Sequence, residues 1–399
     1  MDSNQDNREN QFKSNKIDQL NFESADGKDL NDRLDEVDHQ LLELFEEHMA
    51  VTEAISRQRI AGGGKLFDSG DEHKRIERLA GETRNDFNRK GAQELFTQLF
   101  AMSRKQQYHL LTECGAAGRL PFFMVDELDK KRVRVVYQGV PGAYSHAAMA
   151  EYFGKDVNCF HVDTWRDAME AIADGEADYA VLPIENSSVG IVADNFDLLV
   201  DFENYIVAEQ VIKVEHVLLG LSNAQMGDIR TVYSHPQALA QCAPFLDQHP
   251  QWKRERWSNT AAAALKVSRD KDKSQAAIGS EFAARLFGLK VLERHIYANE
   301  GNSTRFLIVT NQKIFRRDAS RISICFEVPH RSGTLYNILS HFIYNDLNMT
   351  RIESRPIRGK NWEYRFFIDF DGNLNSSAVK NALRGIRSEA INMKILGNY

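Results

Sequence analysis

Apolar residues recur at Leu30, Leu34, Val37, Leu41 and Leu44 in alternating steps of four and three, the seam of a long helix packing on another helix. The run Ala61-Gly62-Gly63-Gly64 breaks that pattern. Helical spacing resumes at 71–84 and 92–112, with Leu95, Leu99, Met102 and Leu110 on the apolar face. Residues 30–112 therefore predict three helices without strands, and a group with one dominant helix calls for a partner chain to cover its seam. Beyond the stretch "GAAGRLPF" the texture changes to a short strand at 133–137. Strand patterns at 178–183, 214–219, 230–233, 276–279 and 305–310 then alternate with amphipathic helices, which predicts an α/β layer with a mostly parallel sheet. In such a layer, ligands bind at the carboxyl ends of strands, where loops meet helix N-termini. The block 320–399 reads strand 322–326, helix 333–342, strands 349–355 and 364–370, helix 377–386 and strand 393–395, the βαββαβ order of a ferredoxin-like unit. The expected division is a disordered tail 1–29, a helical domain 30–112, a linker 113–131, an α/β domain 132–311 and an α+β domain 320–399.

Bulk properties narrow the function. With 399 residues the chain is too long for one ordinary core. Its hydrophobic share of 42% and charged share of 27% are those of a soluble globular protein, and no apolar run approaches the ~20 residues that span a bilayer. The net charge of −7 is spread along the length without a basic stripe, which argues against nucleic acid as a partner, as the missing apolar run argues against a membrane. Cys114, Cys159, Cys242 and Cys325 stand far apart without a CxxC pair, so reduced thiols in a cytoplasmic compartment are expected, with no metal. The opening MDSNQDNREN lacks the apolar region of a signal peptide.

Chemistry gathers at the strand-to-helix junctions. In "VVYQGVPGAYSHAAMAEYF" a strand turns through Pro141-Gly142 into a helix beginning near Ser145, where free amides suit a carboxylate. His146, alone, reads more simply as a packing residue than as a base. "ADYAVLPIENSSVGIV" runs a buried strand into Glu185, Asn186, Ser187 and Ser188, a polar row suited to an oxygen-rich ligand. "VYSHPQALAQC" carries His235, Gln237 and Gln241, and "SNTAAAA" carries Thr260. Finally "GNSTRF" sets Ser303, Thr304 and Arg305 at the lip of a buried strand. Taken singly, each junction reads equally well as an ordinary turn or cap.

Together these junctions and the C-terminal "ESRP" resemble prephenate dehydratase, and the chain from about 30 to 398 resembles the bacterial P-protein family, chorismate mutase joined to prephenate dehydratase and an ACT regulatory domain. The resemblance implies a two-lobed, periplasmic-binding-protein-like dehydratase domain and a ferredoxin-like ACT domain. It implies conversion of prephenate to phenylpyruvate, carbon dioxide and water in phenylalanine biosynthesis, without a cofactor. Thr304 is then the catalytic hydroxyl, and Glu185, Asn186, Ser187, Gln241, Ser145 and Thr260 line the pocket. Arg305 either positions its loop, faces a substrate carboxylate or makes a structural ion pair. The ACT motifs correspond to Gly333, Thr334 and Leu335 and to Glu353, Ser354, Arg355 and Pro356, with Asn348 at the interface where L-phenylalanine would be held in a homodimer or higher oligomer. Thr334 stands where relatives carry alanine.

The mutase resemblance maps onto Asn31, His48, Arg59, Asp68, Asp71, Glu72, Ser103 and Gln107. Such mutases hold a dianion with cations, yet three of the four cationic positions fall on Asn31, His48 and Asp71. Each missing charge near a carboxylate is worth on the order of 4 kcal/mol at an effective dielectric of 20. Lys74, one turn from Asp71, is the expected substitute. Three readings follow: a dehydratase whose helical domain serves dimerisation with weak or absent mutase activity, a fully bifunctional enzyme, and a non-catalytic amino-acid sensor.

Overall fold

The computed structural model describes residues 27–62, 69–114, 120–298 and 301–399, which form two compact units divided after Ala117. The first unit holds α1 (Gly27–Ala61), α2 (Ser69–Gly81) and α3 (Asp86–Glu113). Asn85 caps α3 by accepting the Asn88 amide at 2.7 Å, which sets the start six residues before the apolar pattern does. Phe100, Ala101, Tyr108 and Leu110 of α3 are buried, whereas Leu34, Leu41 and Leu44 of α1 remain 55–60% exposed. The seam read from the sequence is thus present and uncovered in the single chain. Of the expected tail, 1–26 lies outside the described residues, and the remainder belongs to the first turn of α1.

The second unit runs β1 (Phe123–Val125), β2 (Arg134–Gln138), α4 (Tyr144–Phe153), β3 (Asn158–Val162), α5 (Trp165–Ala173), β4 (Tyr179–Asn186), β5 (Gly190–Ile191), α6 (Ala193–Asp201) and β6 (Tyr205–Lys213). It continues through β7 (Val217–Gly220), β8 (Thr231–Ser234), α7 (Pro236–Gln241), α8 (Ala243–Leu246), β9 (Lys253–Arg256), α9 (Thr260–Asp270), β10 (Gln275–Gly279), α10 (Glu281–Phe287) and β11 (Lys290–Glu293). Then come β12 (Ser303–Thr310), β13 (Ile314–Arg316), β14 (Arg321–Glu327), α11 (Thr334–Ile343), β15 (Met349–Pro356), β16 (Tyr364–Asp371), α12 (Ser377–Glu389) and β17 (Ile391–Asn398). The expected linker 113–131, whose residues 115–119 lie outside the described set, contains β1, which pairs with β13.

Two lobes result. In lobe 1, β3, β2 and β4 are parallel, β12 adds antiparallel to β4, and β6 adds antiparallel to β12, so β6 runs in the direction of the first three. Lobe 2 is a five-stranded sheet in the order β11-β7-β10-β8-β9, parallel through β10, β8 and β9 and antiparallel at β7 and β11. The chain crosses between lobes at 214–216 and again between β11 and β12, and the Val214 amide donates to the Asn302 carbonyl at 2.8 Å to tie the crossovers together. The sheets are therefore mixed rather than mostly parallel. The reason is one reversed strand in each sheet, β12 in lobe 1 and β7 in lobe 2, each the first strand after a crossover. The pattern at 214–219 also divides: 214–216 is crossover, and the strand starts at Val217.

The C-terminal strands order as β15-β16-β14-β17, all antiparallel, the ferredoxin-like arrangement expected. Alternation decides what each face meets. Ile324, Ile368 and Phe370 pack on Ile338, Phe342, Val379 and Leu383 of α11 and α12, while Cys325, Phe367 and Leu396 pack on Phe196, Leu199 and Ile206 of lobe 1. At Gly397 a Cβ would lie 2.1 Å from the Ile206 carbonyl oxygen, so glycine is required where β17 joins β6 into one ten-stranded sheet.

Candidate functional site

A cavity of about 430 Å³ opens where strand ends and crossovers of the two lobes converge. In the turn between Gln138 and Tyr144, which both line it, Gly142 has φ +88°, and a Cβ there would lie 2.9 Å from the Phe287 ring, so both the turn and the close approach exclude a side chain. No Asp, Glu, Lys or Arg lines the cavity among the described residues; its polar wall consists of amides, hydroxyls and imidazoles.

Thr304 sits at the start of β12, opposite Asn186 at the end of β4. The Asn186 amide nitrogen donates to Thr304 Oγ1 at 2.8 Å and to Asn302 Oδ1 at 2.9 Å. Its oxygen accepts the Ser188 and Val189 amides at 3.0 and 3.1 Å, which fixes the amide's orientation. Thr304 therefore accepts from Asn186, and its own hydrogen has no acceptor among the described residues. That hydrogen is left to donate into the cavity.

The other expected residues separate by strand alternation. Gln241 and Thr260 line the cavity with Asn186 and Thr304, and Asn259 caps α9 through the Ala262 amide at 2.7 Å. Ser145, Ser187 and Glu185 do not line it. The Ser145 hydroxyl donates to the Gln138 carbonyl at 2.5 Å and locks the strand-to-helix turn. Ser187 Oγ donates to the Gly301 carbonyl at 3.2 Å and accepts the Ser303 amide at 2.9 Å, stapling the strand that carries Thr304. Glu185 and Arg305 are cross-strand partners one position along from Asn186 and Thr304, so they point to the opposite face. There Arg305 meets Glu209 at 3.3 Å, Asp369 at 3.4 Å and Glu185 at 3.5 Å. Asp369, only 2% exposed, also takes Arg351 at 2.9 Å and the Ser323 hydroxyl at 2.5 Å, and Glu209 takes Arg321 at 2.9 Å. Three carboxylates balance three arginines. Arg305 is thus an internal ion-pair residue at the junction with β15 and β16.

Two polar residues at the cavity, Asn302 and His216, belong to the crossovers and escape sequence reasoning, whereas Tyr144 begins α4 beside the helix start read from the sequence. His216 is nearly buried, with Nδ1 3.2 Å from the Tyr144 hydroxyl and Nε2 2.8 Å from Gln241 Oε1. Burial lowers its pKa below the usual 6.5, so the ring is neutral at pH 7. His146 stacks on Tyr137 at 4.7 Å and accepts the Gly142 amide at 3.0 Å, the packing role its context suggests.

Gly333, Thr334 and Leu335 line a separate cavity of about 540 Å³ with Trp362, Tyr364 and Phe366. The Thr334 hydroxyl donates to the Pro329 carbonyl at 2.9 Å, so the extra oxygen has a local acceptor. Glu353, Ser354, Arg355 and Pro356 lie on β15 beside that wall, with Ser354 opposite Phe366 and Pro356 opposite Tyr364, and do not enter this cavity. Arg355 instead makes a two-pronged pair with Asp197 of α6 at 2.8 and 3.0 Å, and Asn348 bonds Asp371 at 2.8 Å.

In the helical unit, His48, Arg59, Asp71, Glu72, Ser103 and Gln107 border a cavity of about 180 Å³. Asp68 lies outside the described residues, and Asn31 is exposed on α1, away from this wall. Arg75 lines the cavity, its guanidinium 5.4 Å from the Phe100 ring, whereas Lys74 does not. Both are one turn from Asp71, and the four-residue step places Arg75 on the cavity side. Glu72 is bonded by Arg104. Burial, then the nearby Arg75, holds the His48 pKa below 6.5, so His48 adds no cation at neutral pH.

A family model described as prephenate dehydratase matches residues 135–314, and one described as chorismate mutase type II matches 30–108. The bifunctional chorismate mutase/prephenate dehydratase of Escherichia coli K12 is 32% identical over 376 residues, covering 93% of this chain and 95% of its own. The chain belongs to the chorismate mutase/prephenate dehydratase family. Similar solved structures align with two thirds of the chain. A prephenate dehydratase from Arthrobacter aurescens in complex with L-Phe is 31% identical with a TM-score of 0.61, over 67% of this chain and 89% of that one. The quorum-quenching acylase GqqA is 31% identical with a TM-score of 0.60, over 67% and 97%. The neutral cavity lies inside the segment matched as prephenate dehydratase, and the cavity with mixed charges lies inside the segment matched as mutase.

Proposed function

We propose that the cavity between the lobes converts prephenate to phenylpyruvate, with Thr304 as the hydrogen-bond donor to the departing oxygen. The bond from the ring to its carboxylate breaks, carbon dioxide leaves, and the electron pair moves through the ring to expel the hydroxyl group as hydroxide. Hydroxide takes a proton to become water, and aromatisation drives the sequence. A threonine hydroxyl is too weak an acid to be a free proton source, so its part is to stabilise charge as it develops on the leaving oxygen. The observation carrying this reading is the committed geometry of Asn186, which leaves the Thr304 hydrogen directed to the cavity. Gln241 and the start of α9 at Thr260 supply neutral donors for the substrate's carboxylates. Phenylpyruvate formation from prephenate, compared between wild type and Thr304→Val, tests it. Unchanged turnover in the variant removes Thr304 from the chemistry, and no product from wild type removes the activity.

The C-terminal unit, on this reading, is an ACT domain that binds L-phenylalanine, the end product formed from phenylpyruvate. The cavity at Gly333–Leu335 supports this, as does the relative crystallised with L-Phe. The sheet that runs through Gly397 and the Arg305–Asp369–Arg351 ion pairs give effector binding a physical connection to the strand bearing Thr304. The helical unit then serves as a dimerisation element through the exposed seam of α1, with weak or absent mutase activity. A chorismate-disappearance assay on the full chain separates this from the bifunctional reading.

A further inference from the structure

Gln241 is held from both crossovers. Its main-chain carbonyl accepts the Ala298 amide at 3.0 Å on the second, and its side-chain oxygen meets His216 Nε2 at 2.8 Å on the first. On its far side, His216 Nδ1 meets the Tyr144 hydroxyl of lobe 1 at 3.2 Å, the one hydrogen-bond partner of that hydroxyl among the described residues. A phenol donates better than it accepts, and an imidazole nitrogen is a good acceptor, so the phenol hydrogen goes to Nδ1. The neutral ring then carries its hydrogen on Nε2 and donates it to Gln241 Oε1. Both N–H bonds of the Gln241 amide remain, at a cavity wall.

We propose that His216 is a positioning residue for the dehydration: it turns the Gln241 carboxamide so that only N–H donors face the cavity, where they hold an anionic oxygen of the substrate. The inference rests on the dehydratase reading. It explains why a histidine stands at the first crossover, just before the apolar run "VLLG". A free amide presents oxygen or nitrogen equally, and a carbonyl oxygen facing a carboxylate would repel it. The imidazole removes that choice. Because the crossover also ties Gln241 to the lobe carrying Tyr144, the donor is in place before substrate arrives.

Nitrogen NMR on the full chain with labelled histidine, using His216→Gln to assign the signal, reads the tautomer directly. Protonated Nε2 with bare Nδ1 at neutral pH supports the proposal, and the reverse tautomer overturns it. In steady-state kinetics with prephenate, His216→Phe raises KM about tenfold or more, as expected for losing a hydrogen bond to a charged group, with a smaller effect on kcat. His216→Asn, which keeps an acceptor for Tyr144 but has no donor at the Nε2 place, repeats that loss. His216→Gln, whose amide nitrogen reaches the Nε2 place, recovers most of it. If His216 acts through Gln241, the His216→Phe/Gln241→Ala double variant is no worse than Gln241→Ala alone. Additive losses, a KM for His216→Phe within twofold of wild type, or equal behaviour of the Asn and Gln variants overturns the proposal. A wild type that forms no phenylpyruvate refutes the dehydratase reading instead, and the tautomer measurement is unaffected by that outcome.

Discussion

The two cavities differ in how they present charge. Between the lobes, the described wall is uncharged, and directed N–H and O–H groups face the space. In the helical unit, two arginines face two carboxylates, Arg59 and Arg75 against Asp71 and Glu72, and their charges cancel. A site built from dipoles depends on strand register and helix starts, which the fold maintains. A site built from net charge is undone by a few substitutions that leave its helices intact. The α/β unit gathers charge on the other side of β12, where Arg305 pairs with Asp369.

The sharpest way to break this contrast is at Thr304. Thr304→Val keeps shape and removes the donor, so kcat for phenylpyruvate formation should fall about 10²–10³-fold, roughly 3–4 kcal/mol, the loss of one oxyanion-type donor. KM should change little, since the bond strengthens only as the oxygen departs. A loss confined to KM would make Thr304 a binding group and erase the distinction drawn here.

Next in size is Asp369→Asn, on β16, whose carboxylate meets Arg305 of β12. It leaves Arg305 and Arg351 without a buried counter-charge, and removing one partner from such a cluster costs about 3 kcal/mol. Urea denaturation followed by far-UV circular dichroism should show the lobe 1 and C-terminal transition move to lower denaturant. Retained stability would mean that Glu185 and Glu209 already satisfy the arginines.

For the helical cavity, restoring charge should restore function. Asp71→Arg reverses the sign at a position facing the cavity, and chorismate consumption by the full chain should rise about tenfold or more, ~1.4 kcal/mol of barrier. That is well below the Coulomb figure at close range, because exposed charges are screened. A variant no better than wild type would place the defect in shape rather than charge.

Much of this was readable beforehand for a physical reason. Helical periodicity, strand-to-helix punctuation and the βαββαβ rhythm are local, and the elements they mark form close to the expected residues. β6 went unread because Glu209 and Gln210 interrupt its apolar run, and Glu209 makes sense only once Arg305 and Arg321 are beside it. The polar row and the resemblance put Glu185 with Asn186, although alternation sends neighbours in a strand to opposite faces, and for Arg305 the ion pair, one of its three readings, is the one formed. His216 had no local signal, since its partners lie 72 and 25 residues away.

The smallest expected effect compares how the two cavities respond to acid. Burial lowers the pKa of His48 in one and of His216 in the other, and of His146 behind the latter. Below the unfolded value of about 6.5, the unfolded chain binds protons that the folded chain refuses. Stability contributed by the neutral rings is therefore complete above that pH and declines as pH falls from 6.5 toward the lowered folded values. Melting followed by calorimetry should show lower transition temperatures at pH 5.5 than at pH 7.5, by no more than a few degrees. His216→Gln should flatten the dependence of the α/β unit's transition and leave that of the helical unit unchanged, because His48 belongs to the other compact unit. An unaltered slope in that variant would mean that the imidazole titrates alike in both states, and the neutral wall between the lobes would lose one of its members.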